Sequence, residues 1–470
     1  MADQQGRSRQ RRSRRATLLL AFAALAMERA DAALLPAVYR EIGAALHASP
    51  SALGSIALSR SVVQTACYPL AAYLAARHDR LTVIALGAFI WAAATFLIGF
   101  STTFPQMAVT AALNGVGLAL QIPAIYAFVA DSVDGASRGV AFGWLAVAGK
   151  AGTVAGTSLG LLMAPTSFLG LPGWRLAFLL LGVLGAAVGV SIRAFAASDA
   201  AAKARVLVGP AAAAKPKPVR QELQEFAREA KAVMRVPSFQ VIIAQGLTGS
   251  FPWSALLFTP MWLELVGFTH GETAALMTLF KISSGSAIPL AGVLLLALPN
   301  DPSTTARHGA ALFVLGIMAS WNGTATNSPI LAEIVPPRAM TTVFALDRTF
   351  EAVLASFAPP VVGMLAERLY GYMLVSGTAA TSGGVEERAG IDVEMERHNA
   401  LSLARAIYTS VAIPMVLCCS IYSFLYCTYP RDREMARAEA ARDRGGGHGG
   451  DGEGSDSEDE GDGERKLLPQ

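Results

Sequence analysis

Apolar residues run along this chain in long blocks separated by short polar breaks, with neither a period-two alternation nor a single apolar helical stripe. A hydrocarbon core of about 30 Å takes roughly 20 apolar residues to cross as a helix. On that measure the pattern predicts spans at 17–39, 52–76, 81–100, 105–131, 138–163 and 173–194. A polar gap follows, then 239–266, a shorter stretch at 273–298, and spans at 308–334, 340–366 and 404–429. Each must be helical, because lipid offers backbone groups no partners. Composition agrees: 53% of residues are hydrophobic and only 16% charged, against about a quarter charged in soluble domains. That excludes a soluble enzyme or a nucleic-acid-binding protein. The predicted fold class is all-α, a polytopic membrane protein resting in the lipid bilayer.

Charge sets the expected orientation, since basic segments stay in the cytosol. Residues 1–16 hold six Arg and one Asp, and the 195–236 linker carries eight bases against four acids. The segment 431–444 holds five Arg and four acids. All three are expected inside, so both termini are cytosolic and the number of crossings is even. Loops 101–104 and 164–172 are uncharged and 367–403 is acidic, which places them on the opposite side. The basic start followed by an apolar run resembles a signal peptide, but Glu28, Arg29 and Asp31 interrupt it and no cleavage site follows; an uncleaved first helix is expected. The expected organisation is a basic tail (1–16), an amino-terminal bundle (17–194), the linker (195–236), a carboxyl-terminal bundle (237–430) and a disordered acidic tail (431–470).

The two halves echo each other. Span four reads Asn114-Gly115, Pro123, Ala130-Asp131, Arg138 and Phe142; the counterpart reads Asn322-Gly323, Pro329, Ala332-Glu333, Arg338 and Phe344. Between spans two and three stands Ala72-Tyr73-Leu74-Ala75-Ala76-Arg77-His78-Asp79-Arg80, and span five carries a stripe of Gly149, Gly152, Gly156 and Gly160. On these residues the chain resembles the major facilitator superfamily over roughly 17–430, whose loop motif G-x-L-A-D-R-x-G-R is kept here at the Leu, the Ala and both Arg. Glu28-Arg29-Ala30-Asp31, Ser250-Phe251-Pro252-Trp253 and Ala345-Leu346-Asp347-Arg348 with Phe350-Glu351 are most similar to a plant group related to the spinster proteins. Where spinster transporters carry a Glu in span four, this chain has Leu118. The resemblance implies two pseudo-symmetric six-helix bundles and transport of a small organic solute or lipid-like substrate by alternating access.

The second half departs from that plan. Spans two and three with their loop occupy 52–100, whereas the corresponding stretch is only 273–298. Most of a helix pair is missing around residue 280, and no second Arg-rich loop exists. Parity then requires 273–298 to be re-entrant or distorted. The alternative to a transporter is therefore a transport-incompetent or regulatory isoform acting as a membrane scaffold.

Charges inside lipid default to functional hypotheses. Glu28 and Asp31 share one face of span one, with Arg29 about 100° away. They form either a substrate or proton site in a central cavity or an internal ion cluster that holds helices together. The resemblance implies that spans one, four, seven and ten line that cavity, which adds Asn114, Gln121, Gln245, Trp253, Trp321, Asn322 and Asn327; the amides bind solute or bridge helices. Lys150 lies about 18 Å into span five and is expected to pair with an acid rather than snorkel. A gate on the cytosolic side is expected from Arg77, Arg80, Asp131, Arg138, Glu333, Arg338, Asp347, Arg348 and Glu351. The six histidines avoid mid-span positions and the four cysteines form no CxxC pair, so no metal, no cofactor, no catalytic residue and no disulfide framework is expected. A single chain is expected to suffice.

Overall fold

The computed structural model describes residues 2–133, 138–206, 224, 228, 230–283, 305–317, 327–334, 340–374 and 385–445. The first half contains α1 (Ala2–Ala37), α2 (Tyr39–Leu46), α3 (Pro50–Arg77), α4 (Arg80–Phe100), α5 (Phe104–Ser132), α6 (Arg138–Met163) and α7 (Gly173–Val206). A two-residue hairpin, Ser167–Phe168 against Leu171–Pro172, turns the chain between α6 and α7. The second half contains α8 (Pro237–Ala255), α9 (Thr259–Val266), α10 (His270–Ser283), α11 (Thr305–Ile317), α12 (Ser328–Ile334), α13 (Met340–Met364), α14 (Val385–Ser423) and α15 (Leu425–Gly445). Among the described residues, seven stretches are long and apolar enough to cross a membrane: Arg80–Phe100, Phe104–Val129, Val140–Met163, Gly173–Ala196, Pro237–Val266, Thr349–Leu369 and Val393–Ser423. Helix α1 fails that composition test because Glu28, Arg29 and Asp31 crowd its apolar stretch.

Local chemistry explains the ends. Ser49 caps α3, its Oγ accepting from the Ala52 N–H at 3.4 Å, with Pro50 in the first turn where its missing N–H costs nothing. A reciprocal cap opens α10: the Thr269 hydroxyl accepts from the Glu272 N–H, and the Glu272 carboxylate accepts from the Thr269 N–H at 3.0 Å. That backbone donor holds the Glu272 carboxyl below its ordinary range. Pro252 and Pro260 bracket the short 3₁₀ turn (Leu256–Phe258) that separates α8 from α9, since neither can donate within a helix.

Helices α4, α5 and α7 pack together, α1 lies along α6, and α3 lies along α5. In the second half, α13 and α14 flank α8, and α11 lies along α10. Two crossings join the halves, α3 with α13 and α6 with α10. The face bearing residues 38–50, 164–172, 267–269 and 365–374 is called here the far face. In the far half of the molecule one apolar core runs through both bundles, from Leu34, Ile42 and Leu53 to Phe258, Trp262 and Phe280. In the near half each bundle has its own core, around Leu25, Ile84 and Val129 in one and Phe239, Ile242 and Leu331 in the other. Among the described residues the bundles thus share a core toward the far face and have separate cores toward the near face.

Several extents differ from the sequence reading. The basic 1–16 segment is not a tail distinct from span one, because α1 is helical from Ala2. The helix that carries the last span starts at Val385, and its apolar stretch runs over Val393–Ser423 rather than from 404. Residues 431–445 are helical as well, anchored where Asp432 accepts from the Ser238 N–H at 2.7 Å in the first turn of α8. That carboxylate meets the positive end of the helix dipole. The rest of the acidic tail lies outside the described residues, as does most of 273–298. Phe268, before α10, meets His308, early in α11, with ring centroids 4.8 Å apart. The chain therefore enters α10 and α11 from the same face.

Glycines set the helix spacing. A Cβ on Gly152 or Gly156 would come within 2.0 Å of the Ala26 or Ala30 carbonyl oxygen across the α1–α6 crossing, whereas one on Gly143 would meet nothing within 4 Å. Gly156→Val is expected to force α1 and α6 apart and lower the thermal unfolding midpoint of the purified protein sharply. Gly143→Ala should leave it unchanged or slightly raised, since alanine favours a helix by about 1 kcal/mol.

Candidate functional site

Four helices of the first bundle converge on one carboxylate. Asp31 on α1 accepts from the Thr95 hydroxyl of α4 at 2.7 Å and from the Asn114 amide of α5 at 2.9 Å, and Arg60 of α3 reaches it at 3.6 Å. Asn114 also donates to Thr95 at 3.0 Å. Asp31, Thr95 and Asn114 are all buried. The bonds of Asp31 and Asn114 run between helices of the first bundle, and neither residue lines the cavities described below. Arg60 was missed by the sequence reading, although a lone Arg in the middle of a predicted span is a clear signal. Gln121 is fully buried beside Gly87 of α4, and neither amide atom finds a hydrogen bond among the described residues.

Glu28 is buried and pairs with the neighbouring Arg29 at 3.2 Å, while the Arg29 side chain is 43% exposed. Arg29 turns into the cleft between the bundles. Two connected cavities of about 190 and 270 Å³ open there, both lined by Arg29, Thr153 and Lys281. The first also takes Trp253, Pro260 and Phe280; the second takes Tyr126, Gly149 and Lys150. Lys150 of α6 and Lys281 of α10 face each other closely enough for their charges to interact. Both acids near Lys150 in the sequence reading have arginine partners, Arg29 for Glu28 and Arg60 for Asp31. Lys150 lines the second cavity together with Arg29 and Lys281, another residue the sequence reading passed over.

The cavity walls come from spans one, five, seven and eight, with span four adding Tyr126. Gln245 and Asn327 do not reach it. Asn327 donates to Gln245 at 3.0 Å and accepts from Tyr422 at 3.1 Å, and Gln245 donates toward the Cys418 sulfur at 3.3 Å. These amides tie α8 and α14 to the start of α12. Trp321, Asn322 and Arg338 lie outside the described residues, as do the side chains of Arg77, Asp131, Arg138 and Arg348. Glu333 accepts from the Tyr429 hydroxyl at 2.6 Å and pairs with Arg433 at 2.8 Å, both on α15. Glu351 lies against Gly246 of α8, and its carbonyl accepts from the Ser250 hydroxyl at 3.0 Å. Asp347 is buried and Arg80 half-buried.

Among the described residues, carboxylate contacts that cross between the bundles gather at the far face. Arg40 on α2 bonds Glu396 on α14, Glu41 meets His270 at 2.9 Å, and Glu367 accepts from the Ser51 N–H at 2.7 Å and its hydroxyl at 2.9 Å.

The Major Facilitator Superfamily model matches residues 18–328, well over half of the chain. The chain belongs to that superfamily. Among solved structures, this superfamily member is similar to a bacterial homologue of the human lysosomal transporter Spinster in an inward-facing, unoccupied conformation, with TM-score 0.67 and 16% identity over 90% of this chain and 98% of that one. It is also similar to the nucleoside transporter NupG, with TM-score 0.62 and 13% identity over 88% and 99% of the two chains. At such identities these likenesses describe the fold alone. The multidrug resistance protein 1 of Bacillus subtilis (strain 168) is 27% identical over 119 residues, which is 25% of this chain and 31% of that protein. The chain is a multi-pass, all-α membrane protein of a superfamily of solute transporters.

Within this superfamily member, Arg60→Leu removes the cationic partner of a buried carboxylate, a change that typically costs about 3–5 kcal/mol. Asn114→Leu should cost about 1–3 kcal/mol. Thermal unfolding in detergent should rank the variants in that order, and full stability of Arg60→Leu would exclude a structural role for the Asp31 knot.

Proposed function

We propose that the chain carries a small organic solute or lipid-like molecule bearing a negative charge, by alternating opening of the cleft between its bundles. The observation that carries this reading is the lining of the cleft: Arg29, Lys150 and Lys281, contributed by both bundles, line one cavity, and Arg29 and Lys281 line its neighbour together with Trp253 and Phe280. Several cations in a site of low dielectric attract an anion far more strongly than they would in water. The aromatic walls suit an apolar body attached to that anion. Glu28, paired with Arg29, is the group placed to take a proton and so change how strongly Arg29 holds the solute. The separate cores of the near half and the joined core of the far half suit a conformer with its cleft open at the near face. Basic segments put that near face in the cytosol.

The scaffold reading is favoured by a different observation: the stretch 273–298 is only about half as long as its counterpart 52–100 in the first half.

Transport into proteoliposomes containing the full chain tests the proposal, with a panel of carboxylates, phosphate monoesters and lysophospholipids. At least one anionic member should accumulate, Lys281→Gln should lower its uptake at least tenfold, and Glu28→Gln should remove the effect of an imposed pH gradient. Equal uptake by Lys281→Gln and the unsubstituted chain would refute the anion site. No flux with any member would favour the scaffold.

A further inference from the structure

We propose that Glu41, Glu264 and His270 form a binding site for a divalent transition cation of the zinc class, bridging the two bundles at the far face. Glu41 lies on α2 of the first bundle, Glu264 near the end of α9 and His270 at the first position of α10, both in the second bundle. Their candidate ligand atoms all lie within 4.8 Å of one another. The His270 Nε2 is 2.9 Å from Glu41 Oε1 and 3.5 Å from Glu264 Oε1. Donors that each sit about 2.1 Å from one tetrahedral ion are separated by roughly 3.4 Å, so the trio needs only small side-chain adjustments to enclose one.

A second observation points the same way. Glu264 is 2% exposed, and neither carboxylate oxygen has a hydrogen-bond partner among the described residues. A buried carboxylate left without hydrogen bonds or a close cation is costly. The nearest fixed cation does not serve it: Arg40 gives one nitrogen to the Glu264 backbone carbonyl at 3.2 Å and another to the Glu396 carboxylate. His270 can answer it only when protonated, and then must share its charge with Glu41. A divalent ion satisfies both carboxylates at once and leaves the imidazole neutral, as a ligand must be.

The donor set selects the ion. One imidazole and two carboxylates with a coordination position to spare match zinc, whereas calcium takes six to eight oxygens. His270 is 28% and Glu41 15% exposed, so the ion enters from the far-face solvent. Because ligands come from both bundles, bound cation would hold the far face shut. This inference does not rest on any transported solute, since binding is read directly on the purified protein.

The test is calorimetric titration of ZnCl₂ into the chelator-treated full chain in detergent, with CaCl₂ as comparison. One zinc per chain is expected, with a rise of a few degrees in unfolding temperature from selective binding to the folded state. His270→Asn and Glu264→Gln should each weaken binding at least tenfold and abolish the thermal shift, while His398→Ala should change neither. His270→Asn alters a partly exposed side chain, so it remains informative if Glu264→Gln fails to fold. No binding at 100-fold molar excess, or equal zinc affinity in His270→Asn, would overturn the site.

Discussion

Asp31 cannot be left bare in a bundle made almost wholly of apolar helices, and the first half of the molecule is arranged around that requirement. One carboxylate draws a guanidinium from α3, a hydroxyl from α4 and an amide from α5. Since these groups are buried, each contact excludes alternative registers of the helix that supplies it: sliding any one of them by a residue would strand a buried polar atom. The second half uses a milder version of the same device, with the Gln245–Asn327–Tyr422 amide and hydroxyl chain in place of charge.

With the polar groups thus committed to holding helices, the cleft is left to a small number of side chains. Arg29 is the turning point, because its neighbour Glu28 is buried behind it while the guanidinium faces the opening. One helix therefore presents an acid inward and a base to the cleft from adjacent positions, which the 100° step between neighbours makes geometrically natural.

Much of the fold could be read from residue order, since a lipid-spanning helix needs only length and apolarity to be recognised. Spans three to seven fall within a few residues of the observed apolar stretches. The reading failed where helices leave the apolar layer: Ala2–Arg15, Val385–Leu403 and Arg431–Gly445 are helical despite their charges, because outside lipid a helix tolerates charge freely. At the site, Glu28, Arg29, Asp31, Asn114, Lys150 and Trp253 stood out as polar or aromatic residues inside apolar runs, yet their roles did not. Whether a buried polar group faces a neighbour helix or a cleft depends on which helices meet, and that is tertiary information. Arg60 carried the same intramembrane signal and went unread. Glu41, Glu264 and His270 were invisible, because they become neighbours only when the two halves close on each other.

The contact between α3 and α13 bears on how such halves rotate. A Cβ on Gly54 would lie 2.4 Å from the Pro359 carbonyl carbon, and one on Gly363 would lie 2.2 Å from the Ser51 nitrogen. Main chain therefore rests on main chain, without flexible side chains to absorb movement. Such a seat behaves as a stiff fulcrum close to one rim. A few degrees of roll about it would leave that rim almost still while sweeping the opposite rim through several times the distance, so the leverage of the molecule is set by two missing methyl groups.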